Sequence, residues 1–322
     1  MTDYYLGKRE QIAICPEDTY GTLGTQTMSA NGYIPGLNNI ITPDFAQDWQ
    51  EVLQAGNDSL EVASFQPSVH MYPFQMQFVV TDWRFLKYCG FGTVGNTGGP
   101  TYTHTFVLAN AVKSFTMEWA KRSSSGANEV LTLTGCVIKK VTLKFQAGQG
   151  ATQGFITATC DCVGQSLVAG TSITTISANA RKGFQFRMAK YTFQGTEIKE
   201  VNNGELVIDT GIDESKSRYC NSTVNQNIFE PIIQVMRYNG RVNINYNSGT
   251  YSTAFNTDAT LTSTNKLEFI ENVSTNNVVF TFTSAVLKQI KSPTNIEGVD
   301  NLDLVMNITT LSPVATDTVG TY

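Results

Sequence analysis

Histidine is the scarcest side chain in this sequence that could act as an acid, a base or a metal ligand. Only His70 and His104 occur among the 322 residues. His104 lies between Thr103 and Thr105 in a segment with the pattern of a strand, and neither histidine has a serine or cysteine beside it in a nucleophile motif. We therefore expect both histidines to be hydrogen-bonded structural residues.

Carboxylates are the other candidates for chemistry, because a glycosidase needs a pair of them. Three groups are available: Glu17 with Asp18, Glu197 with Glu200, and Asp209 with Asp213 and Glu214. The last group lacks the spacing of a calcium loop. Acids this close together in turns are usually solvated, so we predict a protein that is not an enzyme. We predict no catalytic, cofactor-binding or metal-binding residues and no cofactor.

The cysteines do not form a metal-binding pattern. The six are Cys15, Cys89, Cys136, Cys160, Cys162 and Cys220. None belongs to a repeated CxxC pair, and two histidines are too few to complete a zinc site at matching spacing. Cys160 and Cys162 are two residues apart in a strand-like run, so both should face one side. We predict reduced, structural thiols, as in a protein made in a cytoplasm.

Composition favours short strands over long exposed helices. Charged residues are only 15% of the chain, against a usual quarter, and Thr, Asn, Ser and Gly take their place. The net charge of −5 argues against a protein that grips nucleic-acid phosphates. An acidic wall would instead repel DNA and let it slide. We found no apolar run long enough to cross a membrane and no secretory signal in residues 1–10, so no membrane contact is expected.

The chain contains the same β-unit twice. The YTHTF motif at Tyr102–Phe106 recurs, 149 residues later, as YSTAF at Tyr251–Phe255. At the same offset, residues 131–141 align without a gap with residues 280–290, and Lys139 and Lys288 are among the four identical pairs. A period of this length is too long for a solenoid and is the size of a small domain. It indicates duplication of a module that assembles with copies of itself.

Residues 16–59 are rich in glycine and proline, which predicts a long, mostly irregular arm containing a short helix or strand at 45–53. Such a long loop is usually functional, and we expect an assembly arm. Residues 81–90 predict a helix capped by Thr81 and ending at Gly90. The glycines of residues 92–99 predict a turn.

Strands are predicted wherever large apolar residues alternate with polar ones. These segments are 60–65, 72–80, 102–108, 114–119, 129–138, 141–145, 155–163, 184–193, 195–200, 205–210, 267–270, 278–286 and 302–309. Asn239-Gly240 predicts a hairpin between strands 232–238 and 241–246, with a helix over 231–240 as the alternative. The fold class is mainly β, with tandem antiparallel sandwiches or barrels and a short flanking helix. We place the two domains at 1–168 and 169–322, with the boundary in the Ser/Thr/Gly/Ala-rich residues 165–182.

Several motifs, in this order along the chain, resemble those of the tail tube proteins of tailed phages, of siphophage and myophage type. They are EDTYGT at Glu17–Thr22, the helix ending at Gly90, YTHTF at Tyr102–Phe106, SFTMEW at Ser114–Trp119, LTGC at Leu133–Cys136 and VTLKFQAG at Val141–Gly148. The resemblance covers roughly residues 5–165 and is looser in the second half.

The resemblance implies two packed antiparallel sheets with a flanking helix, and rings of six such folds that stack into a hollow cylinder with a β-barrel lumen. It implies a structural virion protein, made in the host cytoplasm, whose tube is the conduit for DNA ejection. The partners implied are copies of itself and other tail proteins (tape measure, terminator and distal tail protein). DNA would pass through the lumen without specific binding.

The duplication leaves the number of chains per ring open. A two-domain chain closes a ring of six folds with three chains, as a pseudo-hexamer, whereas six chains are needed if the second half only enlarges each subunit. Two other functions also remain open at this point. One is the tube of a contractile injection system. The other is a monomeric β-sandwich adhesin or carbohydrate-binding module, because the 13 Tyr, 18 Phe and 3 Trp could line a sugar-binding face.

Overall fold

A computed structural model describes most of the chain between Glu10 and Val319. The described residues are 10–52, 64–99, 101–109, 111–123, 128–147, 154–177, 181–213, 233–245, 255, 260–261, 265–271, 276–291 and 301–319. They form a mainly β, sandwich-like structure built on one large antiparallel sheet. Within these residues the sheet does not close into a barrel.

The strands follow one another with few helices between them. In chain order they are β1 Gln11–Pro16, β2 Gly36–Pro43, β3 Ala46–Val52, β4 Ser64–Val80, β5 Phe91–Thr97, β6 Tyr102–Leu108, β7 Phe115–Arg122, β8 Asn128–Gln146, β9 Thr157–Gly164, β10 Ser166–Gly170, β11 Ala189–Phe193, β12 Thr196–Ile198, β13 Val201–Asp209, β14 Arg237–Asn245, β15 Asn265–Ile270, β16 Asn277–Lys291 and β17 Asn301–Asp317. One α-helix, α1 Met28–Asn31, and 3₁₀ helices at Arg84–Tyr88 and Phe186–Met188 complete the described elements.

Strands of the first half pair in the spatial order β1, β7, β8, β9, β4, β2, and every pairing is antiparallel. We call this set the first meander. Strands of the second half pair in the order β11, β15, β16, β17, β14, β13, also antiparallel throughout. We call this set the second meander. In both meanders the chain visits the six positions in the same sequence, so the repeat extends to the strand topology.

Strands β8 and β16 show the duplication in detail. β8 begins at Asn128 and β16 at Asn277, which is the offset of 149 residues found in the sequence. Each has a bulge at the same place, between Ile138 and Lys140 in β8 and between Leu287 and Gln289 in β16. The residue at each bulge is one of the identical pairs, Lys139 and Lys288. The other repeated motif is YTHTF, and its first copy lies in β6. Residues 251–254 of its second copy, YSTAF, lie outside the described residues.

β8 bends so that its two halves belong to different layers. Its first half pairs with β7 and β10, and its second half pairs with β9 and β13. The bend lies at Gly135, whose φ of 62° is accessible to glycine at little cost. A Cβ at this position would approach Cβ of Gln165 to 2.6 Å, so the bend also requires the absence of a side chain.

Both meanders contribute to one hydrophobic core, and Trp83 lies at its centre. The indole is 1% exposed, with ring centroids 5.3 Å from Phe184, 5.9 Å from Phe269 and 5.4 Å from Phe280. Trp83 directly precedes the 3₁₀ helix Arg84–Tyr88. Its side chain therefore brings the first half of the chain into contact with the second half. At these positions the aromatic residues are core residues.

The helix predicted at 81–90 is shorter and tighter than expected, because only Arg84–Tyr88 is helical and its form is 3₁₀. Asp82, rather than Thr81, accepts the N–H of Arg84, at 3.1 Å. Gly90 has a φ of 80°, which confirms a left-handed residue after the helix. The turn predicted at 92–99 is wrong, because strand β5 occupies most of it and pairs with β6.

The hairpin predicted at Asn239-Gly240 is wrong, and so is the alternative helix over the described part of 231–240. β14 runs straight through both residues and pairs with β13 on one side and β17 on the other. A Cβ on Gly240 would approach Cε of Met306 to 3.2 Å, so this glycine makes room for a core side chain and does not form a turn.

Further expectations need correction. The described part of the segment 16–59, residues 16–52, is not mostly irregular, because β2 and β3 lie in it and both pair with β4. The two strands predicted at 129–138 and 141–145 are one strand, β8. The other predicted strands that fall on described residues are present, but β4, β16 and β17 extend five to eight residues beyond one predicted end. The strand predicted at 184–193 is confirmed only over β11, because Phe186–Met188 is a 3₁₀ helix. β10 crosses the predicted domain boundary and pairs with β8. The division at residue 168 remains a prediction.

Candidate assembly surfaces

The two meanders are joined edge to edge through strands β8 and β13. The register pairs Asn203 with Gln146 at one end and Asp209 with Lys140 at the other. Backbone hydrogen bonds continue beyond both ends, from Ala147 N to Asn202 O at 3.0 Å and from Thr210 N to Lys139 O at 2.9 Å. This internal junction shows how one meander accepts the outer strand of another.

Side chains reinforce the internal junction. Two acidic residues of β13 lie opposite basic residues of β8: Glu205 opposite Lys144 and Asp209 opposite Lys140. Opposite charges at directly paired positions stabilise a sheet modestly. Thr210 is fully buried, and its hydroxyl donates to the carbonyl oxygens of Ile138 at 3.2 Å and Lys139 at 2.7 Å. The second meander therefore satisfies carbonyl groups at the bulge of the first.

Strand β2, the counterpart of β13, is an outer strand. Its only strand partner among the described residues is β4. The side chains of Leu37 and Ile40 are 39% and 55% exposed, although both are large and apolar. Pro43, which has no N–H to donate, is a residue type that sheets confine mainly to edge strands.

Exposed apolar side chains also surround an open cavity of about 530 Å³. Val107 and Leu108 of β6 and Val235, just before β14, line it or lie beside it. Leu108 is 62% exposed and Val235 is 58% exposed. A patch of large apolar residues on a surface is typical of a contact with another protein.

Strand β3 and the first part of β4 form a two-stranded hairpin. Residues 46–52 pair with residues 64–71, and in the structure described here neither segment pairs with any other strand. A two-stranded hairpin alone is marginally stable in water. We call residues 46–71 the β3–β4 hairpin; residues 53–63 lie outside the described residues.

The EDTYGT motif holds the N-terminal segment against the bend of β8. The buried carboxylate of Glu17 accepts hydrogen bonds from Gly21 N at 2.8 Å, Thr116 Oγ1 at 2.7 Å and Gly135 N at 2.8 Å. Gly21 has a φ of 75°, which explains a glycine in the motif. Asp18 accepts from Thr25 and Gln26, and these hydrogen bonds lower the pKa of its carboxyl.

His104 is buried and hydrogen-bonded, and its purely structural role remains a prediction. Its ring is fully buried, with Nε2 2.9 Å from the carbonyl oxygen of Val319 and 3.4 Å from Oδ1 of Asp317. Arg181 binds the same carboxylate at 3.1 Å. These contacts of His104, which lies in β6, stabilise the end of β17 against β6. His70 lies in β4, but its side chain is outside the described residues.

The other candidate groups lie in separate elements. Glu197 and Glu200 are exposed in and beside β12. Asp209 accepts the N–H of Gly211 at 2.8 Å in the turn after β13, and Glu214 falls outside the described residues. No group of three potential metal ligands occurs in the described part of the chain.

Five cysteines, all except Cys220, are described, and they are free and buried. Burial raises the pKa of the Cys15 thiol to about 11, and it raises the pKa of the other four well above the ordinary value. Cys160 and Cys162 face the same buried side of β9. Thiols with raised pKa values are poor nucleophiles, which fits a packing role.

The described fold is that of a mainly antiparallel β-protein with open strand edges. A family model described as phage tail tube protein matches residues 7–309, and the chain belongs to this family. A comparison with curated proteins found no match. Membership supports a structural role in the tail tube and implies a component of the virion tail, in a family that is typically non-enzymatic. Of the described helices, none is long and apolar enough to cross a membrane.

Proposed function

We propose that the chain polymerises into stacked rings that form a hollow tail tube, the conduit for DNA ejection into the host. The observation that carries this proposal is the internal junction, in which strand β13 of one meander extends the sheet of the other through β8. A sheet that already grows by adding one unit can grow further by adding the next chain. Closure of a ring also pairs strand edges that would otherwise be exposed.

Each ring contains three chains in this proposal. Three chains bring six meanders, so the ring has approximate sixfold symmetry although its true symmetry is threefold. The shared strand order of the two meanders supports this arrangement, because equivalent units can occupy equivalent places. A ring of six chains would instead leave the second meander outside the lumen wall.

The dimensions are compatible with a DNA conduit. If each of six units gives four strands to the lumen wall, roughly 24 strands at ~4.8 Å spacing make a circumference of roughly 115 Å. The backbone diameter is then at least roughly 37 Å, and strand tilt widens it further. The net charge of −5 suits a lumen that does not hold DNA.

Ring-to-ring contacts are assigned to the predicted arm of residues 16–59, through the β3–β4 hairpin. A hairpin that extends beyond the main sheet gains stability when it packs on another ring. The tube ends would meet other tail proteins, namely tape measure, terminator and distal tail protein. The host cytoplasm is the proposed site of synthesis.

Electron microscopy of the concentrated protein tests the proposal. We expect hollow tubes with regularly stacked rings. A variant in which residues 47–70 are replaced by an Asn-Gly turn should remain folded and should lose long tubes, because the ring-to-ring contact is removed. Normal tubes from this variant would contradict the role of the hairpin. Dispersed monomers of the unmodified chain under all conditions would contradict the tube itself.

A further inference from the structure

The internal junction has a counterpart at the two outer edges of the chain. Strand pairing across the first meander gives one continuous row of directly paired residues: Ile41, Met76, Cys160 and Val141. The equivalent row across the second meander is Gly204, Val242, Leu304 and Ile290. Val141 and Ile290 are separated by the repeat offset of 149 residues. The two rows therefore align β2 with β13 and β8 with β16, residue by residue.

This alignment identifies which residues would meet at a second junction. At the internal junction Ile208, four residues after Gly204, lies opposite Val141. Its counterpart, four residues after Ile41, is Phe45, and the counterpart of Val141 is Ile290. One position further along each antiparallel strand, Asp44 is placed opposite Lys291.

The side chains at the two open edges are less buried than their counterparts at the internal junction, as expected if a partner strand is missing at those edges. Ile208 and Val141 are both fully buried at the internal junction. Phe45 and Ile290 are only partly buried, although both pack against the same core. Among described residues, β17 is the only strand that pairs with 289–291 of β16. The side chain of Val286, nearby on β16, is 40% exposed.

Charge is complementary at the two open edges. Asp44 and Lys291 are both exposed and of opposite sign. The internal junction also pairs opposite charges, Asp209 with Lys140, but at a different position. The counterparts of Asp44 and Lys291 there are Val207 and Thr142. A pairing of this kind favours the correct register, because a slip by one residue would move every side chain to the other face.

We propose that residues 44–46 of one chain pair antiparallel with residues 289–291 of a second copy of this chain. Phe45 then lies opposite Ile290, and Asp44 opposite Lys291. The inference rests on the proposed ring, since it names the strands through which neighbouring chains in one ring join. The contact is head to tail, so each chain offers both edges and the series ends only when the ring closes.

Cysteine cross-linking in tubes tests this contact. Directly opposed residues of an antiparallel pair have Cα atoms about 4.5–5.5 Å apart, within the range a disulfide bridges. Tubes of the variant D44C/K291C, oxidised mildly, should yield disulfide-linked chains on non-reducing gels, with covalent products up to the number of chains in a ring. The native described thiols are buried and should not contribute.

The matched control is D44C/K266C. Lys266 is also an exposed lysine, but it lies on β15, which is paired on both sides with β11 and β16. Tubes of this control should give only monomers. If D44C/K291C does not polymerise, tubes co-assembled from the two single variants with equal amounts of each should give covalent dimers.

The outcomes separate the contact from the tube. Covalent products from D44C/K291C and none from the control support the strand pairing. Tubes of either preparation that yield no cross-link overturn the pairing and leave the tube proposal intact. Failure of the unmodified chain to form tubes overturns both.

Discussion

Ile208 and Val141 lie directly opposite each other on neighbouring strands, and neither side chain is exposed to solvent. One belongs to the second meander and the other to the first, so this pair is part of the internal junction, next to its Asp209–Lys140 end. The chain therefore contains, within itself, an example of the contact that a tube-forming protein must make between units.

The Thr210 hydroxyl should contribute to the internal junction. The variant T210V keeps the shape of the side chain and removes the donor to the carbonyl oxygens of Ile138 and Lys139. Because the site is fully buried, we expect a loss of about 1–3 kcal/mol in the free energy of unfolding, measured by urea denaturation. T196V on the exposed strand β12 is the control. Equal stability of T210V and T196V would contradict this role.

Trp83 should be the most costly single truncation in the core. Its indole packs on three phenylalanines that come from residues 184–280. W83A should lower the free energy of unfolding by about 3–5 kcal/mol, because it leaves a cavity between the two halves. L108A, at a residue that is 62% exposed, should change stability by no more than about 0.5 kcal/mol. A small effect of W83A would show that the halves do not share this core.

The buried carboxylate of Glu17 should stabilise the N-terminal segment. E17Q loses the charge and one acceptor atom for the hydrogen bonds from Gly21, Thr116 and Gly135. Hydrogen bonds to a charged group contribute about 1.5–3 kcal/mol each, so the melting temperature should fall by several degrees. E129Q, on an exposed position of β8, is the matched control. A melting temperature unchanged by E17Q would mean that the motif is not structural.

Stability should fall in alkali because of Cys15. Burial raises the pKa of this thiol from 9.0 to about 11 in the folded chain. Below pH 9 the thiol is protonated in both states, and its contribution is fully present. As the pH rises from 9 towards 11, the unfolded chain releases the proton first, so stability is lost.

The variant C15A should therefore lose less stability than the unmodified chain between pH 7.5 and pH 10, by on the order of 1 kcal/mol. Urea denaturation in a reducing buffer at both values measures the difference. The other thiols are present in both proteins and cancel in the comparison. An identical loss in the two proteins would contradict a raised pKa at Cys15.

The sequence predicts the repeat and most strands because both depend on local patterns. Alternation in β17, for example, places Leu302, Leu304 and Met306 on the buried face. Two of the errors arise where a glycine lies within a strand and not in a turn. Gly240 lies in mid-strand against Met306, and Gly92 lies in strand β5. No local pattern distinguishes these glycines from turn residues.

The junction itself could not be predicted from the sequence, because it depends on which strand edges remain open after folding. β2 falls in a segment so rich in glycine and proline that it resembles an irregular arm. Its role follows only from its pairing with β4 and from the equivalent pairing of β13 with β14. The equivalence of Phe45 and Ile208 likewise could not be found from the sequence, because it depends on the two rows of paired residues in the structure.

The rotational symmetry of the tube tests the account most directly. We would record electron cryomicroscopy images of tubes assembled from the purified chain and average along their axes. We expect stacked hollow rings with threefold symmetry, each showing six similar units around the lumen. Rings of six chains, or a protein that forms no tubes at any concentration, would contradict the proposal that each chain supplies two units of the wall.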